Sequence, residues 1–62
     1  MEKFVVEIEL HNHADNSVDV WAKVEFADNI EEARERAESV VREINDLEDE
    51  LHASVKSVVP VS

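Results

Sequence analysis

Histidine is the residue type of this chain with the clearest potential for chemistry. The chain has three histidines and no cysteine, so a metal ion would have to be bound by imidazole and carboxylate groups. His11 and His13 are two residues apart, and in a strand such side chains lie on the same face, about 6.6 Å apart. Imidazoles with a carboxylate suit zinc, nickel or copper. His11, His13 and His52 are therefore a candidate metal site, with ordinary polar loop histidines as the alternative.

Carboxylates are abundant, but their positions do not indicate catalysis. Pairs such as Glu7 with Glu9, or Glu31 with Glu35, fall on faces that we expect to be exposed. Acid–base catalysis needs a carboxyl group whose pKa is shifted in a cleft. A domain of 62 residues leaves little room for a pocket of about 300 Å³. We therefore predict a protein that is not an enzyme and that uses no cofactor.

The formal charge of −10 limits the partners that the chain can bind directly. Only six lysines and arginines are present, and they are dispersed, so direct binding to nucleic acid is not expected. Residues 28–50 hold ten acidic residues and three arginines. This segment is either a solvated surface or a mimic of DNA phosphates that inhibits a nucleic-acid-binding protein. The mimic would use the acidic helix face, namely Glu31, Glu35, Glu38 and Asp46.

Length and hydropathy predict one small domain, residues 1–62, without a membrane-bound part. No apolar run approaches the roughly 20 residues of a membrane span, and the first residues do not resemble a signal peptide. A soluble, cytoplasmic protein is the expectation. The chain also contains no glycine, although an average chain has about 7%. A designed or simplified sequence with no biological activity is therefore a further hypothesis.

The apolar residues change period twice, which predicts strand, strand, helix and strand. The alternating residues of the first two strands, about 3–11 and 18–26, are Phe4, Val6, Ile8, Leu10 and then Val18, Val20, Ala22, Val24, Phe26. Helical spacing connects Ile30, Ala33, Ala37, Val40, Val41, Ile44 and Leu47. Alternation returns in the third strand, about 51–59, at Ala53, Val55, Val59 and Val61. We expect all these residues to face one core.

These elements predict an α+β fold of the ββαβ type, a three-stranded sheet with one helix on one face. A right-handed crossover makes the second and third strands parallel. The first strand holds the most apolar stretch, Phe4-Val5-Val6, so it is expected at the centre in the order 2-1-3. The third strand then starts beside the hairpin loop, which brings His52 to His11 and His13.

The helix is expected to begin at Asp28, which can cap the amide of Glu31 in a capping box. We expect it to fray near Asn45 and Asp46, because both residue types favour turns. The junction Phe26–Ala33 resembles the join between hairpin and helix in small accessory proteins of phages and plasmids. That resemblance concerns folding, so no functional residue is transferred.

The sheet face away from the helix is expected to be mostly polar, as is usual for an open antiparallel face. Trp21 and Val5 are the predicted apolar exceptions on it, with Lys23 and Val58 beside them. Tryptophan is enriched at the centres of protein interfaces, whereas an indole lying over charged side chains is a common surface arrangement. With edge strands also open, the leading hypothesis is a protein-binding module, homodimeric through this face or an edge strand.

Overall fold

The computed structural model describes residues 1–61, and it has the predicted architecture. The elements are β1 (Glu2–Asn12), β2 (Ser17–Ala27), α1 (Ile30–Leu47) and β3 (Leu51–Pro60). The sheet order is β2-β1-β3, and β1 is antiparallel to both neighbours. The predicted α+β class and strand order are confirmed. No helix in residues 1–61 is long and apolar enough to cross a membrane.

A loop of four residues joins β1 to β2 without any glycine. The Asn12 Oδ1 atom accepts a hydrogen bond from the Ala14 amide, and the Asp15 Oδ1 atom accepts one from the Ser17 amide, both at 2.9 Å. Asn16 adopts a φ of 59°, a left-handed conformation that asparagine tolerates better than most residues. Asn12 and Ser17 are directly opposed. The loop chemistry therefore fixes the register of the hairpin.

This register places the apolar residues of β1 and β2 on opposite faces of the sheet. Because four residues separate Asn12 from Ser17, even-numbered β1 residues oppose odd-numbered β2 residues, as Ile8 opposes Trp21. Directly opposed residues share a face. The prediction that both alternating sets face the helix is therefore wrong for the second strand. The open face, meaning the sheet face away from α1, carries Val18, Val20, Ala22, Val24 and Phe26, while Asp19, Trp21, Lys23 and Glu25 lie on the helix side.

A β-bulge changes the faces of β3 as well. Ile8 opposes Val55 but Glu7 opposes Ser57, so Lys56 is an extra residue in the strand. Beyond it the alternation is shifted by one position. Val58 consequently packs in the core at 9% exposure, whereas Val59 lies on the open face. The prediction that Val58 belongs to the open face, and Val59 to the core, is wrong for this reason.

The core between helix and sheet is thin. It contains nine buried apolar residues, of which four are alanines, and the largest fully buried side chains are Phe4, Ile8 and Val6. Alanine lets a helix approach a sheet closely but removes little apolar surface from water. The chain exposes 4401 Å², compared with about 4,100 Å² for a compact monomer of this mass. Ten large apolar residues stay exposed within residues 1–61, so the isolated chain leaves much apolar surface uncovered.

Helix α1 begins one residue later than predicted and ends later than predicted. Its N-cap is Asn29, whose side chain accepts a hydrogen bond from the Glu32 amide at 2.8 Å; this corrects the prediction of Asp28. Both residue types are good N-caps, and Asn29 has the extended backbone that the position requires. The helix continues through Asn45 and Asp46 to Leu47 instead of fraying there.

The two ends of the helix contact different edge strands. Near its start, the Arg36 Nη1 atom donates to the Phe26 carbonyl oxygen of β2 at 2.7 Å. Near its end, the Asn45 side chain donates to the Ala53 carbonyl oxygen at 3.2 Å and accepts from the Ala53 amide at 2.7 Å. The helix therefore crosses from β2 to β3 and leaves the first half of β2 uncovered.

Substitution of Asn45 tests the contact between helix and β3. Asn45→Ala removes two hydrogen bonds and leaves the backbone groups of the buried Ala53 without this partner, so we expect a loss of about 1–3 kcal/mol in the free energy of unfolding. The exposed neighbour Asp46→Ala is the control, with an expected change within about 0.5 kcal/mol. Urea denaturation at one protein concentration measures both. Equal losses in the two variants would contradict the proposed contribution of this contact.

Candidate interaction surface

Strand β2 is exposed on both of its faces along most of its length. Residues 17–24 are all exposed in this strand of eleven residues. The reason is the path of α1, which leaves β2 after its first turns and then follows β3. An edge strand without a covering layer is uncommon in a small domain, because strands usually bury at least one face.

The exposed apolar residues form a continuous stripe that we call the apolar band. It comprises five residues of β2 and two that continue the row from Val24 across β1 to β3, namely Val18, Val20, Ala22, Val24, Phe26, Val5 and Val59. The four large side chains of β2 in the band are 44–53% exposed. Glu7 and Glu9 stand on the open face of the central strand and limit the band there. The apolar area is thus concentrated at the β2 edge, and the expectation of a mostly polar face is wrong for this strand.

Trp21 is exposed, but on the helix side of the sheet. It opposes Ile8, whereas Val5 opposes Val24 on the other face, so the predicted pairing of Trp21 with Val5 on one surface is wrong. The indole remains 57% exposed because the helix has moved away from this part of β2. Lys23 lies on the same side, and its Nζ atom is 3.3 Å from the Glu25 Oε2 atom.

The two edges of the sheet differ in their capacity to pair with another strand. All eleven residues of β2, each within the described range, oppose β1 in one unbroken register. Strand β3 instead has a bulge at Lys56 and a proline at position 60. In addition, the Asn45 side chain is hydrogen-bonded to the Ala53 backbone of this strand. Bulges and prolines are devices by which natural sheets protect an edge. The β2 edge is therefore the one suited to strand pairing.

The three histidines converge at the hairpin end of the sheet, as predicted. His11 and His52 oppose each other, and the His13 ring centroid lies 4.5 Å from that of His11 and 6.4 Å from that of His52. The His13 amide donates to the Glu50 carbonyl oxygen at 2.8 Å, which ties the loop to the start of β3. Residues 1–61 nevertheless contain no group of three histidine or acidic side chains placed to hold a metal ion. The predicted metal site therefore has no support from the geometry.

The acidic helix face is exposed over its whole length. Glu31, Glu35, Glu38 and Asp46 are all exposed. Their axial intervals are about 6, 4.5 and 12 Å at the rise of an α-helix, whereas phosphates of one DNA strand follow every 3.4 Å or so along the axis. This spacing gives the hypothesis of a phosphate mimic no specific support.

The carboxylates that sequence alone could have assigned to catalysis lie on open surfaces. Glu7 accepts a hydrogen bond from the Ser57 hydroxyl at 2.8 Å, and Glu31 and Glu35 are exposed on the helix. The described residues enclose no pocket.

Comparisons with protein-family models, with curated proteins and with solved structures find no match for this chain.

The hairpin loop yields a prediction for the pKa of Asp15. Hydrogen bonds from the Ser17 hydroxyl and then from the Ser17 amide lower this pKa below the ordinary value of 3.8. Because the folded-state pKa is lowered, the ionised carboxylate stabilises the loop above about pH 4, and this contribution is lost as the pH falls through the lowered pKa. We expect Ser17→Ala to raise the pKa of Asp15, and Ser54→Ala to leave it unchanged. Carboxyl NMR titration decides this, and an unmoved pKa in Ser17→Ala would refute the role of that hydroxyl.

Proposed function

We propose that this chain is a non-enzymatic protein–protein interaction module that forms a homodimer through the region of β2. One observation carries the proposal. A regular edge strand of eleven residues is exposed on both faces over residues 17–24, and one of its faces is apolar along the whole strand. Large exposed apolar patches on small proteins mark interaction sites, and an open, regular strand edge is a template for another strand.

The thin core supplies the thermodynamic reason for association. A domain of about 60 residues buries only about 60% of the surface that its unfolded chain exposes, and this chain has no disulfide to compensate. Four of the nine buried apolar residues within residues 1–61 are alanines. The half-exposed valines and the phenylalanine of β2 are apolar side chains that a second copy can contact. Small scaffolds commonly gain stability by oligomerisation.

The distribution of charge is compatible with contact at β2. Two copies that each carry −10 repel one another, but the repulsion is not located at this strand. Strand β2 holds only Asp19, Lys23 and Glu25, whereas residues 28–50 contribute −7. Exposed charges farther apart than about 10 Å are largely screened at 0.1 M salt. Electrostatic repulsion of a second acidic copy is therefore weakest at the apolar band.

Sedimentation equilibrium tests the proposal with matched variants. We expect the unmodified chain to be a dimer at high micromolar concentration. Val20→Glu/Val24→Glu replaces two apolar side chains of the band with carboxylates and should give a monomer, because it removes apolar contacts between the copies and places like charges beside the paired strands.

The control variant is Ile30→Glu/Leu47→Glu, which adds the same charge at exposed apolar positions of the helix and should remain a dimer. Far-UV circular dichroism verifies that both variants are folded. A monomeric unmodified chain would contradict the proposal, and so would equal dissociation of the two variants.

A further inference from the structure

We infer that two copies pair β2 with β2 in antiparallel orientation around a twofold axis at Trp21, which gives one continuous six-stranded sheet. This inference depends on the proposed function and specifies its partner and geometry. The partner is a second copy of the chain. The pairing uses the unbroken β2 edge and residues 17–25 of each copy.

Symmetry restricts the possible registers. A strand that pairs with its own copy in antiparallel orientation does so around a twofold axis perpendicular to the sheet, because only that rotation reverses the strand and keeps the faces. Both helices then lie on the same side. Even-numbered residues oppose even-numbered residues, and odd oppose odd, so the register is defined by the one residue on the axis.

The charges of β2 select Trp21 as that residue. With Trp21 on the axis, Asp19 opposes Lys23 of the second copy, and the symmetric pair forms as well. With Ala22 on the axis, Asp19 opposes Glu25, a like-charged pair that is unfavourable across strands. With Lys23 on the axis, the two Lys23 side chains oppose each other.

Two further registers are shorter. With Val24 on the axis, Lys23 opposes Glu25, which it already contacts within its own chain at 3.3 Å, and only residues 21–27 can pair. With Val20 on the axis, only residues 17–23 can pair, and Asp19 opposes Trp21. The register centred on Trp21 combines opposite charges with nine paired positions.

The remaining side chains are complementary in the Trp21 register. On the open face, Val18 opposes Val24 and Val20 opposes Ala22, so the apolar bands of the two copies merge across the axis. On the helix side, the two indoles oppose each other. They lie beside the part of β2 that α1 does not cover, and for the same reason Trp21 is 57% exposed in the isolated chain. Aromatic and β-branched cross-strand pairs are among the stabilising ones.

This pairing closes after two copies. The other edge of each sheet is β3, which carries the bulge at Lys56, Pro60 and the Asn45 contact to Ala53. A symmetric interface that uses the same strand of both copies leaves no second regular edge for growth. The expected assembly is a dimer rather than a filament.

A single-cysteine scan over residues 19–24 tests the register, because the chain has no cysteine of its own. Only the residue on the axis opposes itself, with Cα atoms about 5 Å apart. A residue one position away is about 8 Å from its copy, beyond the reach of a disulfide. With oxidised glutathione as oxidant, we expect Trp21→Cys to form a covalent dimer, and Val20→Cys and Ala22→Cys to remain largely uncrosslinked.

The outcomes separate this inference from the proposed function. Strongest cross-linking at another position overturns the register. A dimer in sedimentation that cross-links at no position overturns β2 pairing but leaves self-association intact. A monomeric unmodified chain overturns both.

Charge exchange tests the same register while Trp21 is retained. We expect Asp19→Lys, and separately Lys23→Asp, to raise the dissociation constant roughly tenfold, because each places like charges in both symmetric pairs. Asp19→Lys/Lys23→Asp should restore it to within about threefold. Asp28→Lys, the control outside the paired residues, makes the same charge change as Asp19→Lys.

Asp19→Lys is the decisive variant. It makes the chain less acidic, so long-range repulsion alone would strengthen association. A weaker dimer in Asp19→Lys, together with no weakening in Asp28→Lys, supports the pairing of Asp19 with Lys23. Association that is unchanged or tighter in Asp19→Lys excludes the Trp21 register.

Discussion

The register of the β1–β2 hairpin is the constraint on which the rest of the structure depends. The side chains of Asn12 and Asp15 hold a loop of four residues, and the even length of this loop sends the apolar side chains of the two strands to opposite faces. A shift of one residue would exchange the faces of every β2 side chain. In the observed register, the apolar side chains of β1 lie in the core and those of β2 are exposed to solvent.

The helix reinforces this division of roles. Its alanines, Ala33 and Ala37, pack in the core, and its last turn is held to β3 by Asn45. Because α1 packs on β3 in its last turns, it cannot also cover the start of β2. The central strand is therefore well buried at Phe4, Val6 and Ile8. Of the two edge strands, β3 is covered by the helix, whereas residues 17–24 of β2 are exposed. Exposure of β2 is a consequence of where the helix is anchored.

Much of the fold could be predicted from the apolar periods alone. Alternation in β1 and helical spacing from Ile30 to Leu47 were sufficient to predict the strand and the helix. The apolar start of β1 was sufficient to predict its central position in the sheet. The convergence of the histidines followed from topology, because a crossover helix returns the chain to the hairpin loop. The positions of the imidazole nitrogens could not be predicted from topology, because they depend on side-chain torsion angles that residue spacing does not determine.

The faces of β2 and β3 were predicted wrongly for two different reasons. For β2 the signal was present, because an even number of residues separates His11 from Val18 and opposed residues must then differ in parity. For β3 there was none. Val58 and Val59 are the same residue type, and Lys56 carries no mark of a bulge such as glycine. At the helix start, Asp28 and Asn29 are adjacent residues with similar capping ability, and local backbone geometry decides between them.

The bulge at Lys56 has an evolutionary consequence. Deleting this one residue would keep every other cross-strand partner of β3, since Ser57 and Val55 would then simply follow one another opposite Glu7 and Ile8. The third strand would lose the irregularity that bends its outer border away from neighbours. Pro60 and the Asn45 contact to Ala53 would then be the remaining protection of that border. Loss of a single codon would thus leave the third strand more open to pairing with other chains, and purifying selection would be expected to act on the length of β3 more strongly than on the identity of residue 56.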